Sequence, residues 1–293
     1  MKVVAIYSRV MDEEQQQDVQ LFFDELEKQK FQPLIFHSFF EQIRDIINLP
    51  ADTKVFESSE EITDDIEAVV SLGGDGTLLD TVTLVRGRNV PIMGINFGRL
   101  GFLAGIGRNE MQTAVKALVN HSYVVDKRTM IHVDSSLPLF GHVPYGLNEF
   151  SIHKRDIASM IKIHTYLNGE FLNTYWVDGL IVATPTGSTG YSLSCNGPIV
   201  FPDSGSFVIT PVAPHNLNVR PIVVPDDNII SFEIESRADQ VICALDSRRE
   251  IVSKNVQLAV KKENFLLNLI RLNENNFLQT LRNKLTWGLD KRN

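Results

Sequence analysis

The chain has 293 residues, long for one domain and comfortable for two, with an ordinary soluble balance of 43% hydrophobic and 22% charged residues. Its 36 acidic against 28 basic residues give a net charge of −8, which argues against a general nucleic-acid binder, because that role needs a basic face for phosphates. Cys195 and Cys243 are the only cysteines and form no CxxC pair, which excludes a disulfide framework or zinc finger and fits a reducing cytoplasm.

Residues 2–7 (KVVAIY) read as a buried strand, too short an apolar stretch for a signal peptide. No run approaches the 18 apolar residues of a membrane span, so a soluble, cytoplasmic protein without membrane contact is expected. Residues 12–30 read as an amphipathic helix with Val19, Phe22, Phe23 and Leu26 on one face. Strands are expected at 33–37, 68–72 and 90–96, a solvated acidic connection at 57–67, and a second helix at 109–120. Strands separated by helices predict an α/β domain with a parallel sheet over residues 1–124.

From about residue 125 the texture changes. Residues 159–167 alternate, Asn168-Gly169 is a hairpin turn, and 170–176 returns as a strand. Residues 228–235 set Ile230, Phe232 and Ile234 against Ser231, Glu233 and Glu235, and 241–245 and 256–260 continue the pattern. A β-rich second domain is therefore predicted over 125–264. Residues 276–285 carry Phe277, Leu278, Leu281 and Leu285 on one helical face. An isolated short helix is marginal, so the tail, residues 265–293, is expected to return to the first domain.

Between the strand ending near Leu72 and the helix beginning near Thr77 stands Gly73-Gly74-Asp75-Gly76. The Walker pattern GxxxxGK[ST] is absent from the chain, and the dinucleotide pattern GxGxxG fails because Leu79 takes the place of its last glycine. Glycines in such a turn let backbone N–H groups approach phosphate oxygens, and the helix start adds free N–H donors. A carboxylate among phosphates repels them unless it holds a metal or takes a proton from the attacking hydroxyl. The plainer alternative is a turn whose Asp75 caps the helix. The seven histidines show no metal-ligand spacing, so no protein metal site is expected, and His153-Lys154-Arg155 reads as a solvated hairpin tip.

A second group of polar residues follows. Asp178-Gly179 precedes an apolar strand, and 184–192 (TPTGSTGYS) forms a hydroxyl-rich loop with one aromatic ring. Such a loop offers small donors and acceptors to a ribose or a base edge, and Tyr191 a face to pack on the base.

GGDGT resembles the signature shared by NAD kinases, diacylglycerol and sphingosine kinases and, more distantly, phosphofructokinases. NFGRLGFLA (96–104), NEF (148–150), VDGLIVATPTGSTGYSLSCNGPIV (177–200) and ITPVAPHNLNVRPIVV (209–224) resemble, in order, the further motifs of NAD kinases. The resemblance spans essentially the whole chain. It implies an ATP-dependent kinase acting on the adenosine ribose 2′-hydroxyl of NAD, with Mg²⁺ or another divalent cation accompanying ATP. It implies Asp75 as the catalytic base, with Gly74 and Gly76 approaching the dinucleotide and Asn148 and Glu149 binding its ribose and adenine groups. Thr186, Thr189, Gly190, Tyr191, Ser192, Leu193 and Ser194 line the adenosine pocket on this reading, and Asp178 lies near the nicotinamide. Ser159 corresponds to a position near the dinucleotide and Ala213 to one contributed across a subunit contact, which implies a homodimer or homotetramer. Two departures stand out. Gly190 replaces the usual alanine of Ser-Thr-Ala-Tyr, which is expected to loosen one pocket wall. Asp246-Ser247-Arg248 replaces Asp-Gly-Gln or Asp-Ser-Gln, so the resemblance leaves open whether that loop, Arg248 included, contacts substrate.

Overall fold

The computed structural model describes residues 2–98, 101–156, 159–272 and 277–286. The chain forms two compact units, one of Met1–Asp126 with Asn268–Asn293 and the other of Lys127–Leu267.

The first unit begins β1 (Lys2–Tyr7), α1 (Gln16–Lys28), β2 (Phe31–Phe36), α2 (His37–Ile43) and β3 (Lys54–Phe56). It continues with β4 (Ile66–Leu72), α3 (Asp75–Val85), β5 (Ile92–Asn96), β6 (Ile106–Gly107) and α4 (Met111–Asn120). The strand pairs of β6-β5-β4-β1-β2-β3 are parallel, as an α/β alternation requires. The central strands are buried on both faces, so they read as unbroken apolar runs: Val4, Ala5 and Ile6 in β1, Ile92 to Ile95 in β5. Val19, Phe22, Phe23 and Leu26 of α1 are at most 1% exposed and share one core with Ala114, Val115 and Leu118 of α4.

The second unit is almost entirely strand: β7 (Val124–Ser135), β8 (Tyr145–Gly146), β9 (Glu149–Lys154), β10 (Ile161–Leu167), β11 (Glu170–Val177) and β12 (Gly179–Ala183). The short helix α5 (Tyr191–Ser194) is followed by β13 (Ser206–Val212), β14 (Ile222–Pro225), β15 (Ile230–Glu235), β16 (Gln240–Leu245), β17 (Arg248–Ser253) and β18 (Leu258–Arg271). One antiparallel sheet runs β14-β13-β12-β9-β16-β17, and β11-β10-β15 with the first part of β18 forms another. Phe150, Leu180, Phe207 and Leu245 from the first and Ile163, Tyr175, Ile230 and Phe232 from the second fill one core. The β10–β11 turn is made as its sequence demands, with Asn168 and Gly169 at φ of 51° and 84°. After β18, whose Leu269 and Ile270 pair in parallel with Ile92 and Met93, comes α6 (Phe277–Leu285) in the first unit.

Several expectations need correction. His37 is not the end of a strand but the first residue of α2. The acidic 57–67 segment is not wholly solvated: Ser59 and Ile62 are buried, and β4 already begins at Ile66. Residues 265–271 are not the start of a helical tail but the end of the 14-residue strand β18. In α6 the packed stripe is narrower than expected, because Leu281 is buried while Leu278, one residue round the helix from Phe277, is 50% exposed. No helix among the described residues is long and apolar enough to cross a membrane.

Candidate active site

In the first unit the chain leaves β4 and turns into α3 through the glycines. Gly73 has φ of 148°, and a Cβ there would come within 2.5 Å of the Thr77 Oγ1, so the turn needs glycine on both counts. Gly74 is the N-cap of α3 and Asp75 its first residue. The Asp75 side chain does not cap α3. Its Oδ2 accepts the Phe102 N–H at 2.8 Å, and its Oδ1 accepts those of Leu103 and Ala104 at 3.1 and 2.9 Å. The carboxylate thus ties the glycine turn to the loop after β5, and the capping alternative falls. The approach is close enough that a Cβ on Gly101 would overlap the carboxylate.

These groups border a cavity of about 400 Å³ lined by Gln15, Gly73, Gly74, Asp75, Phe97, Gly98 and Lys284, among others. An open, glycine-lined hollow at a helix start, with one carboxylate and one lysine facing it, is suited to a polyphosphate. Beside Gly76 lies the Arg9 guanidinium, 3.1 Å from where a Cβ would stand, and it is forked onto the Asp80 carboxylate. The Tyr7 hydroxyl donates to the same carboxylate at 3.2 Å, and burial together with the Asp80 charge pushes its pKa up to about 12. Arg99 and Leu100 of the NFGRLGFLA motif lie outside the described residues.

In the second unit Asn148, Glu149, Asp178, Gly190 and Tyr191 come together. Asn148 accepts the Thr184 N–H on its carbonyl at 2.8 Å, and the Gly190 Cα faces the Glu149 Oε2 and Asn148 Nδ2. An alanine methyl at Gly190 would sit 3.3 Å from that Oε2 and 3.2 Å from the Gly187 carbonyl. The glycine therefore gives Glu149 room. Burial, reinforced by the neighbouring Asp246 charge, pushes Glu149 up to about 8. Tyr191 is 41% exposed, and its ring stands 5.7 Å from that of His153 at 31°. Burial lowers the His153 pKa and raises that of Tyr191. Asp178 is paired with Lys154 at 2.7 Å. His153 and Lys154 are thus not a hairpin tip: they end β9, which lies between β12 and β16.

The remaining expected residues are placed differently. Thr186 is buried and accepts a hydrogen bond from Arg128, while Thr189 is half-buried and donates to the Thr186 carbonyl. Ser192 is fully buried against the Thr210 hydroxyl at 2.8 Å, Leu193 is half-buried and Ser194 is exposed. Ser159 belongs to a separate open groove with Lys162, Trp176, His215 and Arg237. Ala213 is exposed just beyond β13, with φ of 46°. Lys284, Arg9 and Asp246 were not expected from the sequence. Asp246 alone carried a local signal, a possible hairpin turn between alternating strands. Arg248 is spent on the carbonyls of Val143 and Tyr145.

A glycine turn at a helix start holding a carboxylate, and a hydroxyl-rich loop with an exposed tyrosine ring, suit a kinase for a nucleotide substrate. Residues 7–123 match the family model described as the ATP-NAD kinase N-terminal domain, and residues 147–272 match that of the C-terminal domain. The chain is 48% identical over 292 residues to an NAD kinase of Cytophaga hutchinsonii, covering 99% of this chain and all of that one. It is 46% identical over 240 residues to an NAD kinase of Flavobacterium psychrophilum, covering 81% and 82% of the two chains. The fold is that of yeast NADH kinase solved with NADH, with a TM-score of 0.85 at 22% identity over 99% of this chain and 89% of the other. It is also that of an Archaeoglobus fulgidus NAD kinase solved with ATP, with a TM-score of 0.76 at 24% identity over 98% and 99%. This chain belongs to the NAD kinase family, and its activity is that of an NAD kinase.

Proposed function

We propose that the enzyme transfers the γ-phosphoryl group of ATP to the 2′-hydroxyl of the adenosine ribose of NAD, giving NADP, with Asp75 as the base. The observation that carries this reading is the Asp75 carboxylate, held by three amides in a glycine-lined cavity that suits a polyphosphate. A ribose hydroxyl is a weak nucleophile at neutral pH, and a carboxylate within hydrogen-bond reach accepts its proton as the bond to phosphorus forms. The free N–H groups at the start of α3, with Lys284 in the cavity, offset donor phosphate charge. Binding of the dinucleotide falls to Asn148, Glu149, Asp178 and Tyr191, with the backbone of 186–194.

Mg²⁺ suits this donor set as a companion of ATP. Among the described residues no three His, Cys, Asp or Glu side chains gather into a cage, so the ion would be held mainly by the phosphates of ATP and by water, as is usual for it, and would neutralise phosphate charge. A homo-oligomer is supported by apolar side chains on edge strands, Phe171 and Trp176 of β11 and Val223 of β14, exposed by 44–57%. A cytoplasmic setting accords with two free cysteines.

Asp75→Asn keeps the size and removes the basicity. Turnover in an assay of NADP formation should fall by about 10²–10⁴-fold, the usual range for losing a general base. NAD affinity by calorimetry should change by less than about tenfold, the equivalent of one neutral hydrogen bond. Turnover within a few-fold of the parent would remove Asp75 as the base.

A further inference from the structure

Asp246 opens the two-residue turn between β16 and β17, with Leu245 paired to Arg248 and a left-handed φ of 53°. From that turn its carboxylate reaches back across 97 to 99 residues of sequence. Oδ2 accepts the Leu147 N–H at 2.7 Å, and Oδ1 accepts those of Asn148 and Glu149 at 2.8 and 3.1 Å. The Asp246 N–H in turn donates to the Glu149 carbonyl at 3.0 Å. Arg248, two residues on, secures the carbonyls of Val143 and Tyr145. One hairpin therefore fixes the backbone of the whole segment leading into β9.

The side chains carried by that backbone are not spent on the fold. The Asn148 Oδ1 and Glu149 Oε2 are both buried with no hydrogen-bond partner. Native structures rarely bury polar atoms unmatched, and each exception asks for a reason. Here the two atoms belong to consecutive residues, and the Glu149 Oε2 faces Gly190, where an added methyl would stand 3.3 Å from it and 3.8 Å from the Asn148 Nδ2. Open polar atoms on consecutive residues suit a ligand with neighbouring donors, such as ribose hydroxyls or the exocyclic amine of adenine.

We propose that Asp246 is a positioning residue for dinucleotide recognition, holding the backbone from which Asn148 and Glu149 present their open acceptors to the nucleoside. It rests on the reading that this pair binds NAD. Asp246 itself touches no ligand; its three acceptances set where the pair stands. The charged and titratable groups facing Glu149 are Asp246 from the hairpin, with Arg248 beside that carboxylate, and Tyr191 from α5, with Asp178 beyond the tyrosine.

The test compares Asp246→Asn and Asp246→Ala with Glu149→Gln and Asn148→Ala, measuring both Michaelis constants and the pH profile of kcat/KM for NAD. Asp246→Ala should raise the NAD constant by about tenfold or more, as expected for hydrogen bonds to a charged group, with the ATP constant within about twofold. Asp246→Asn, whose amide oxygen retains two of the three acceptances, should fall between. It also removes the like charge beside Glu149, so the inflection that Glu149→Gln abolishes should move to lower pH. That shift reports only the lost charge; a rise confined to the NAD constant, with the melting temperature kept, is what a purely structural role would not give. An NAD constant unchanged in both Asp246 variants, with Glu149→Gln raising it, overturns the positioning role. So does a matched loss of both substrates and of melting temperature in Asp246→Asn. If Glu149→Gln and Asn148→Ala leave the NAD constant unchanged, the pair itself is misassigned and the proposal falls with it.

Discussion

Replacing Gly101 by alanine isolates the position of the Asp75 carboxylate from its chemistry. An added methyl there meets the carboxylate directly. The added Cβ would lie 2.7 Å from the Asp75 Oδ2 and closer still to Cγ and Oδ1, inside the 3.0 Å below which real Cβ contacts essentially do not occur. The carboxylate must retreat by on the order of 1 Å, a displacement that can cost about 10²-fold in rate when it falls on reacting groups. The same retreat stretches the Oδ1 bonds to Leu103 and Ala104, at 3.1 and 2.9 Å, beyond useful length. Hydrogen bonds to charged groups contribute about 1.5–3 kcal/mol each, and the half-buried carboxylate regains part of this from water, so a stability loss of about 2–4 kcal/mol is expected. Turnover at saturating NAD and ATP, with urea unfolding on the same preparation, measures both effects. Gly101→Ala should lose about 10²-fold in kcat while remaining folded. In an Asp75→Asn background it should cost little more, since the two changes act on one group. A kcat within threefold of the parent would refute the idea that the carboxylate must stand where the loop amides hold it.

Tyr191→Phe should leave the NAD Michaelis constant nearly unchanged and Tyr191→Ala raise it by roughly tenfold or more, because a base stacked on an aromatic face gains about 1–3 kcal/mol; equal effects would assign the contact to the hydroxyl. Glu149 has a folded pKa of about 8 against its ordinary 4.5, so between these values the unfolded carboxyl is ionised while the folded one keeps its proton. Rising pH therefore lowers stability in that window, by up to about 1.4 kcal/mol per pH unit. Glu149→Gln should flatten the decline in denaturant-derived stability from about pH 5 to about 8, and an unaltered slope would show that the carboxyl is ionised in the fold. Light scattering should find an oligomer at assay concentrations, and a fully active monomer would remove the proposed subunit contact.

The sequence made the locally encoded parts legible. Asn168-Gly169 announces its hairpin because only a few residues tolerate two left-handed positions in succession. The apolar faces of α1 and the runs of β4 and β5 carry their burial in their own spacing. Helix α2 did not announce itself, since it follows directly on β2 with Phe36 as N-cap and no side-chain cap, glycine or proline to mark the change. At the site, Gly73–Gly76 and the loop from Thr184 to Ser194 were visible as compact motifs. What the Asp75 carboxylate holds was not, because its partners are 27 to 29 residues away and meet it only through the β4–β5 pairing. The same distance hid His153 beside Tyr191, Lys284 in the first cavity and Asp246 under the Asn148-Glu149 backbone.

Lys284 has a consequence for biosynthesis. The first unit is built from both ends of the chain, with the entire second unit inserted between them. A ribosome therefore delivers β1 to α4 early, but the strand segment at Leu269 and Ile270, the buried Leu281 and the lysine that borders the glycine cavity emerge only afterwards. The second unit is contiguous and is free to fold first, whereas the first must wait for its closing pieces. Nascent chains that stop short of Lys284 thus lack the complete glycine-lined cavity.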